Sequence, residues 1–580
     1  MYRSPVEDIL FSMRHVAGLE QALPEDLDWD TVASVIGEAG RFATEVIAPL
    51  NRSGDVEGAR CENGAVTTPK GFNAAYKQWV AGGWAGVTAP AEQGGMGLPH
   101  SVNFACSEIW NGASMGFALC PLLSEGALGA LNAFASPELK ETYVKRLASG
   151  EWTGTMNLTE PQAGSDLNAV RARAERAGDG SYRIFGQKIF ITYGEHDLAD
   201  NIVHLVLARL PEAPPGTRGI SLFLVPKFLV NRDGSLGARN DVRCASIEHK
   251  LGIHASPTCV MVYGDDGGAT GFLVGEENRG LAAMFVMMNS ARLSVGLQGV
   301  AIAERAYQHA AAYARERKQG RAGAGAGMSA IVEHPDVQRM LLTMKASLQA
   351  ARGICHLTGV AIDQSRHAAS KEAREAAGER AALLTPIAKA WSTDIGDEAA
   401  SLGVQVHGGM GFIEETGAAQ HMRDARIAGI YEGTNGIQAI DLVTRKITLG
   451  GGRAVGREIA FIRGVAADAA GRDGFGAAGK RLEEAAGALE RATGYLLDAL
   501  ANDPNAALAG AYAYLRLFGL ALGGACLAKA ALAPQADAGR VALARFFAEK
   551  LLPVAPGLAE SILSGDAALA GAEAALKEVA

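Results

Sequence analysis

The β-rich part of the chain opens with Met156-Asn157-Leu158-Thr159-Glu160-Pro161-Gln162-Ala163-Gly164-Ser165-Asp166. This stretch combines hydroxyl groups, a glycine and backbone donors in one turn, which suits the polar edge of a cofactor. Gly164 would let a bulky ligand approach the backbone closely. Ordinary connections between a strand and a loop use the same residue types, so this composition alone leaves both interpretations open.

The spacing of apolar residues differs on the two sides of this stretch. From about residue 27 to 149 it is helical, and from 153 to about 275 short runs rich in Val, Ile and Phe predict strands. Helical spacing returns from 281 to about 449 in long segments that predict a bundle. An alanine-rich helical tail follows the glycines at 450–452. The pattern predicts a helical region, a β domain, a bundle and a further helical domain.

Composition narrows the class of protein. With 580 residues the chain exceeds the size of a single core, and three or four domains are expected. A net charge of -9 offers no field that would attract a polyanion, so no nucleic-acid partner is predicted. The 7 cysteines show no Cys-x-x-Cys spacing, so no metal site is predicted and reduced thiols are expected.

The apolar segments and the N-terminus predict where the protein works. The N-terminus lacks the features of a signal peptide. No window reaches the roughly eighteen uninterrupted apolar residues that a membrane span requires. The sequence therefore predicts a cytoplasmic protein without a membrane span.

A second string, Gly429-Ile430-Tyr431-Glu432-Gly433-Thr434-Asn435-Gly436, places an acid between apolar residues and a glycine-rich turn. Burial would disfavour the charged carboxylate and raise the pKa, which is how a glutamate becomes a base near neutral pH. A residue at a helix end or in a turn is the ordinary alternative for Glu432.

Three further features could hold an anion. The glycine-rich run from Gln405 to Phe412 could present successive backbone N–H groups to a phosphate. Arg292 and Arg317 lie on the predicted long bundle helix, where they are either solvated arginines or anion clamps.

In this order, the strings at 159–166, 188–192, 250–252, 405–412 and 431–434 resemble the acyl-CoA dehydrogenase family over roughly residues 30 to 448. The resemblance implies a multidomain α+β fold with an N-terminal α-helical domain (1–152), a central β-barrel (153–278), a C-terminal four-helix bundle (279–450) and an extra helical domain (451–580). That extra domain is similar to the extension of large bacterial members.

The resemblance also implies an FAD-dependent enzyme that converts an acyl-CoA thioester to the trans-2-enoyl-CoA. Glu432 would remove the α proton while flavin N5 accepts the β hydride. The Glu432 backbone N–H and a flavin ribityl hydroxyl would stabilise the negative charge that develops on the thioester oxygen. In some members the base precedes the arginine of the long helix; here Ala291 stands at that position, which leaves Glu432 without a rival.

Site residues follow from the resemblance motif by motif. The residues expected around the isoalloxazine are Met156, Leu158, Thr159, Gly164, Ser165, Phe190 and Thr192, where Phe190 replaces the tryptophan of many smaller members. Thr434 and Gly436 are expected near the adenosine, and Ser165, Arg292 and Gly433 near the substrate. Arg317, Gln405 and Gly409 would reach the FAD of a neighbouring subunit, so a homo-oligomer is expected, with a dimer favoured.

Two rival functions and the choice of substrate stay open. An acyl-CoA oxidase or flavin monooxygenase could use the same scaffold, with oxygen instead of electron-transferring flavoprotein as the acceptor. A DNA-binding damage-response flavoprotein is a third hypothesis, against which the balanced charge of the tail argues. The acyl group could be a methylthio, short straight or aromatic chain.

Overall fold

The computed structural model describes residues 2–323 and 327–577. Its first part is helical, as expected from the apolar spacing, and Val32, Ile36 and Ile47 are all fully buried. It also carries one short hairpin, which the apolar spacing does not predict. The elements are α1 Val6–Phe11, α2 Trp29–Phe42, α3 Leu50–Glu57, β1 Arg60–Glu62, β2 Ala65–Thr67, α4 Phe72–Ala81, α5 His100–Phe134, α6 Pro137–Leu139 and α7 Lys145–Ser149.

The middle of the chain forms an eight-stranded sheet and a separate hairpin. The strands are β3 Trp152–Asn157, β4 Arg173–Arg176, β5 Tyr182–Thr192, β6 Asn201–Arg209, β7 Ile220–Pro226, β8 Phe228–Val230, β9 Leu236–Arg239, β10 Val242–Ile247, β11 Thr258–Tyr263 and β12 Ala269–Leu273. The order in the sheet is β10-β11-β5-β12-β7-β6-β3. Because β4 pairs with both β5 and β6, the path β5-β12-β7-β6-β4 closes into a ring. The predicted β-barrel is confirmed.

The next part is the bundle, and its helices are α8 Gly280–Glu316, α9 Pro335–His367, α10 Lys371–His407, α11 Ala418–Ala425 and α12 Asn435–Asp441. The extension follows with α13 Arg453–Ala469, α14 Ala478–Asn502, α15 Pro504–Ala509, α16 Ala511–Leu532, α17 Ala538–Lys550, α18 Ala555–Leu563 and α19 Ala572–Leu576. Helix α16 packs closely on α10, since a methyl group added at Gly519 would overlap the ring of Trp391. The predicted fold class, including the extra helical domain, is confirmed.

The chain divides into two compact units by its internal contacts. One contains residues 2–40 and the described residues from 295 onward, and the other contains residues 41–294. The N-terminal segment belongs with the extension because Asp8 pairs with Arg540 at 2.7 Å and Lys529 donates to the carbonyl oxygen of Val16 at 2.8 Å. The domain limits at 152, 278 and 450 stay predictions.

Three helices in the described chain, α5, α8 and α16, are long and apolar enough to cross a membrane by length and composition alone. Within the protein, 67%, 61% and 78% of their most apolar windows are buried. The expectation of no membrane span stays a prediction.

Candidate active site

Glu432 lies in a strained turn that ends at the start of α12. Its φ is 53°, and the φ of Gly433 is 82°, so two successive residues are left-handed. This conformation costs a residue with a side chain about 1–3 kcal/mol and is found mainly at functional sites. A methyl group at position 433 would lie 2.7 Å from the amide nitrogen of Gln438, so the turn also requires glycine there. Thr434 ends the turn by accepting a hydrogen bond from the backbone N–H of Ile437 at 3.2 Å.

A buried lysine on α10 holds this turn in place. The ammonium group of Lys389, fully buried, donates to the carbonyl oxygen of Gly433 at 2.8 Å and to Oδ1 of Asn435 at 2.9 Å. The side-chain amide of Gln438 donates to the carbonyl oxygen of Glu432 at 3.2 Å. Buried polar groups are stable only when they are hydrogen-bonded, so these contacts fix the backbone that follows the Glu432 Cα atom.

Tyr431 makes one side of the Glu432 environment apolar and uncharged. Its hydroxyl donates to the side chain of Gln298, which is fully buried. Burial, together with the charge of Glu432, raises the pKa of Tyr431 well above its ordinary value, so the phenol stays neutral. The Glu432 side chain itself is half-buried. The turn thus presents a carboxylate on a rigid backbone beside a neutral aromatic ring.

On the barrel, the ends of β3 and β5 bring together the residues expected around an isoalloxazine. The backbone N–H of Ile189 donates to the carbonyl oxygen of Thr159 at 2.9 Å. The hydroxyl of Thr155 donates to the carbonyl oxygen of Thr192 at 2.7 Å. These bonds join the segment that carries Met156, Leu158 and Thr159 to the segment that carries Phe190 and Thr192.

Phe190 is the most unusual residue of this surface. It is 59% exposed, and its φ of 60° is left-handed although it lies within β5. An exposed aromatic ring and a strained backbone both cost free energy, and together they indicate a position kept for binding. The ring offers the apolar wall that a planar cofactor needs.

A buried ion pair anchors the loop at 160–166 to the barrel. Lys188 Nζ lies 2.8 Å from Glu160 Oε1, with side chains 0% and 4% exposed. Glu160 also accepts hydrogen bonds from the backbone N–H groups of Arg171 and Ala172 at 2.7 and 3.0 Å. Burial lowers the pKa of Lys188 to about 8. Burial raises the pKa of Glu160, but the charge of Lys188 and the hydrogen bonds lower it more, so the carboxylate is ionised.

The outer part of the same loop is open. Gly164 and Ser165 are exposed, and a methyl group added at Gly164 would meet no atom within 4 Å. An open glycine lets a planar ring approach the backbone, an exposed hydroxyl can hydrogen-bond to the polar edge of such a ring, and Phe190 can cover its apolar face. The residues present therefore fit FAD.

The remaining predicted residues lie on the bundle helices or at their ends. Arg292 is 8% exposed on α8, directly after buried Ala291, and donates to the Asn289 side chain at 3.3 Å. Arg317 follows α8, and Gln405 and Gly409 lie at the end of α10; all three are exposed. Gly433, Thr434 and Gly436 belong to the Glu432 turn and the first turn of α12.

Sequence reasoning missed the residues that hold these surfaces. Lys389 is the clearest case, because a lysine within the apolar run Leu383–Trp391 marks a charge on a buried helix face. Asn435 lies within the motif at 429–436, but its residue type alone does not indicate its partners. Among residues 2–323 and 327–577, no group of three His, Cys, Asp or Glu side chains has metal-binding geometry.

A strained carboxylate turn and an open aromatic surface that fits a flavin are the features expected of a flavin-dependent dehydrogenase. Family models agree: the acyl-CoA dehydrogenase N-terminal, middle and C-terminal domains match residues 33–151, 155–265 and 278–447. An acetyl-CoA dehydrogenase C-terminal-like model matches 459–573. The chain belongs to the acyl-CoA dehydrogenase family, whose members are FAD-dependent enzymes. The predictions of family, enzyme, acyl-CoA dehydrogenation and FAD are confirmed.

Individual relatives match almost the whole length of the chain. It is 50% identical over 560 residues to 3-methylmercaptopropionyl-CoA dehydrogenase of Ruegeria pomeroyi, covering 95% of this chain and 94% of that protein. Caenorhabditis elegans ACDH-11, solved in complex with C11-CoA, has a similar fold with TM-score 0.79, 20% identity and coverage of 95% and 92%. An acyl-CoA dehydrogenase of Bacillus anthracis, solved in complex with FAD, also has a similar fold: the TM-score is 0.75 and the identity 22%, and the match covers 93% of this chain and 89% of that one.

Proposed function

We propose that Glu432 is the base that removes the α proton of a bound acyl-CoA, and that the acyl group is 3-methylmercaptopropionyl or a closely related short chain. The observation that carries the first part is the left-handed turn at Glu432 and Gly433, held by buried Lys389. A base is effective only when it is positioned, and this turn supplies a carboxylate whose backbone cannot move freely.

The residues around the base act on the thioester as well as on the proton. The backbone N–H of Glu432 is proposed to donate to the thioester carbonyl oxygen and so to stabilise negative charge as the α proton leaves. The neutral phenol of Tyr431 keeps a second charge away from the carboxylate. When bound, FAD supplies the acceptor for the β hydride.

On the barrel, each proposed residue orients or shields the cofactor. Phe190 would cover an apolar face of the flavin, and Met156, near the end of β3, would line the same surface. Thr159, Ser165 and Thr192 offer hydroxyls to polar edges. The Lys188–Glu160 pair keeps the loop of Ser165 attached to β5. Thr434 and Gly436 are proposed at the adenosine, and Arg292, Ser165 and Gly433 near the substrate.

The proposed substrate rests on the 50% identity to 3-methylmercaptopropionyl-CoA dehydrogenase, which extends through the extension as well as the shared domains. The test is an anaerobic titration of the purified protein with 3-methylmercaptopropionyl-, butyryl-, octanoyl- and phenylpropionyl-CoA, followed by the bleaching of flavin absorbance. The methylthio substrate is expected to bleach flavin at the lowest concentration and highest rate. Faster reduction by a long or aromatic chain would contradict the substrate while leaving the reaction intact.

We propose electron-transferring flavoprotein as the electron acceptor, and a homodimer in the cytoplasm without a membrane span. Exposed apolar side chains next to Gln405 and Gly409 support the dimer: Met410, Phe412 and Ile413 are 48%, 86% and 45% exposed. A surface of this kind is typical of a contact with a second copy. Light scattering tests the dimer, because it measures the mass of the protein in solution.

The proposed electron acceptor has its own test. Peroxide release at the rate of turnover, without an acceptor protein, would support an oxidase instead.

A further inference from the structure

The extension reaches the bundle at the helix that supports the Glu432 turn. The hydroxyl of Tyr512, in the first turn of α16, donates to Oδ2 of Asp394 on α10 at 2.7 Å. The other carboxylate oxygen of Asp394 accepts from the side-chain amide of Asn435 at 2.8 Å. Asp394 therefore bridges the extension and the residue that begins α12.

We infer that Tyr512 and Asp394 are positioning residues for the dehydrogenation, through which the extension fixes the turn that carries Glu432. The inference rests on the proposed role of Glu432 as the base. Neither residue is proposed to touch the substrate or the flavin.

Asn435 connects Asp394 to the Glu432 turn through hydrogen bonds. Its side-chain oxygen accepts from Lys389 at 2.9 Å and from Thr393 at 3.2 Å, and its amide also donates to the hydroxyl of Thr393 at 2.9 Å. Lys389 in turn donates to the carbonyl oxygen of Gly433. A change in the orientation of Asn435 therefore moves the donors that hold the turn.

Close packing fixes where α16 can place Tyr512. Trp391, three residues before Asp394, is 3% exposed and packs against two glycines of α16. A methyl group at Gly519 would overlap its ring, and one at Gly523 would lie 2.8 Å from it. The two helices that support the Glu432 turn, α10 and α12, both contact α16. This packing fixes the position of Tyr512 relative to Asp394.

The charge on Asp394 is sensitive to this contact. Burial raises the pKa of Asp394, whereas the hydrogen bonds from Tyr512 and Asn435 and the charges of Arg516 and Lys389 lower it. Asp397 and Glu398 also lie close, and each has its own pKa raised by burial and by the charge of Asp394. The Tyr512 hydroxyl thus favours the ionised carboxylate that accepts from Asn435.

The test compares Tyr512→Phe, Asp394→Ala and Asp394→Asn in the full-length FAD-loaded enzyme by anaerobic stopped-flow. Tyr512 is 42% exposed, so its substitution is tolerable for folding. The limiting rate of flavin reduction is expected to fall about tenfold in Tyr512→Phe and further in Asp394→Ala, because small misplacements of a base are costly. The Kd for acyl-CoA and the FAD content are expected to stay within about twofold of the unsubstituted enzyme, as a change limited to the reacting geometry requires.

Two controls separate positioning from simple stability. Tyr514→Phe removes a buried hydroxyl that bonds Thr493 at 2.7 Å inside the extension, and it is expected to keep the rate. Asp394→Asn can still accept from Asn435 and donate to Tyr512, so it is expected to recover most of the rate lost in Asp394→Ala.

Three results would overturn the inference. The first is an unchanged rate of flavin reduction in Tyr512→Phe. The second is a loss of FAD that accounts for the whole fall in rate, and the third is a loss of thermal stability that does so.

In the same experiment Glu432→Gln reports on the base. If it reduces flavin at the full rate, the proposed base is wrong; if it is inactive while Tyr512→Phe is not impaired, only the positioning inference is wrong.

Discussion

The ammonium nitrogen of Lys389 lies 2.8 Å from the carbonyl oxygen of Gly433, the residue that follows the proposed base. In Lys389→Met this donor disappears while the side-chain volume is nearly kept. The limiting rate of flavin reduction is expected to fall about a hundredfold, because the turn that carries Glu432 loses the buried donor to the Gly433 carbonyl and to Asn435. Lys529→Met is the matched control, since Lys529 also donates to a backbone carbonyl, that of Val16 at 2.8 Å. An equal loss of rate in both variants would contradict a specific role for Lys389.

Phe190 is expected to lower the free energy of unfolding of the FAD-free protein and to strengthen FAD binding. In Phe190→Gly the left-handed strain is removed, so the FAD-free protein is expected to gain about 1 kcal/mol of stability. The apolar wall is lost as well, so FAD is expected to bind about tenfold or more weakly. Asn63→Gly relieves a similar φ of 52° in the β1–β2 turn and is expected to leave FAD affinity unchanged. Thermal melting of the FAD-free protein and a fluorescence titration with FAD measure the two effects.

The Lys188–Glu160 pair gives a stability prediction. Lys188→Met leaves a carboxylate that is 4% exposed without its cation, which is expected to cost about 3–5 kcal/mol. The double variant with Glu160→Gln is expected to recover part of this loss, because no buried charge remains. Arg243→Met, which removes an exposed pair with Asp265, is expected to cost less than about 1 kcal/mol. Comparable losses in Lys188→Met and Arg243→Met, measured by thermal melting, would contradict the account.

Buried histidines of the barrel predict acid sensitivity. His196 is neutral: its Nδ1 accepts from the Leu198 backbone at 3.0 Å while its Nε2 bonds Thr153 at 2.9 Å. Burial lowers the pKa of His196 from 6.5 to about 3. Between these values the unfolded chain binds a proton that the folded chain does not, so stability falls as the pH falls, by about 1.4 kcal/mol per pH unit. The stability that neutral His196 contributes should begin to be lost near pH 6.5, and the loss should be complete near pH 3.

His196→Gln isolates this contribution, because glutamine can donate to Thr153 but does not titrate. The fall in melting temperature between pH 6.5 and 4.5 is expected to be smaller in His196→Gln than in the unsubstituted protein. His367→Gln, at an exposed histidine at the end of α9, is expected to leave the fall unchanged. A fall of the same size in His196→Gln would show that the protons are taken up elsewhere.

The order of domains could be predicted from the sequence because apolar spacing reports local structure directly. Val32, Ile36 and Ile47 are buried as a helical period requires, and the run Asn201–Arg209 forms the buried strand β6. The apolar spacing alone could not predict that β4 closes the sheet into a ring, because pairing of distant strands leaves no periodic signal in either strand; the β-barrel was predicted from the family resemblance.

The candidate site was predictable where chemistry and motif coincide in a short string, as at 156–166 and 429–436. The residues that hold the site in place could not be predicted. Lys389 and Gly433 are 44 residues apart, and Asp394 and Tyr512 are 118 residues apart. An amphipathic pattern identifies the buried face of α10, but the partner of each side chain on that face depends on packing. The left-handed backbones of Glu432 and Phe190 were equally hidden, because that conformation is signalled in sequence mainly by glycine.

Flavin reduction in Glu432→Gln shows directly whether Glu432 is the base. Glutamine keeps the size and the backbone of the turn but cannot accept the α proton. With saturating 3-methylmercaptopropionyl-CoA in anaerobic stopped-flow, FAD and acyl-CoA are expected to bind normally while the rate of flavin reduction falls by about a thousandfold or more. Reduction of the flavin in Glu432→Gln at the rate of the unsubstituted enzyme would contradict the role of Glu432 as the base.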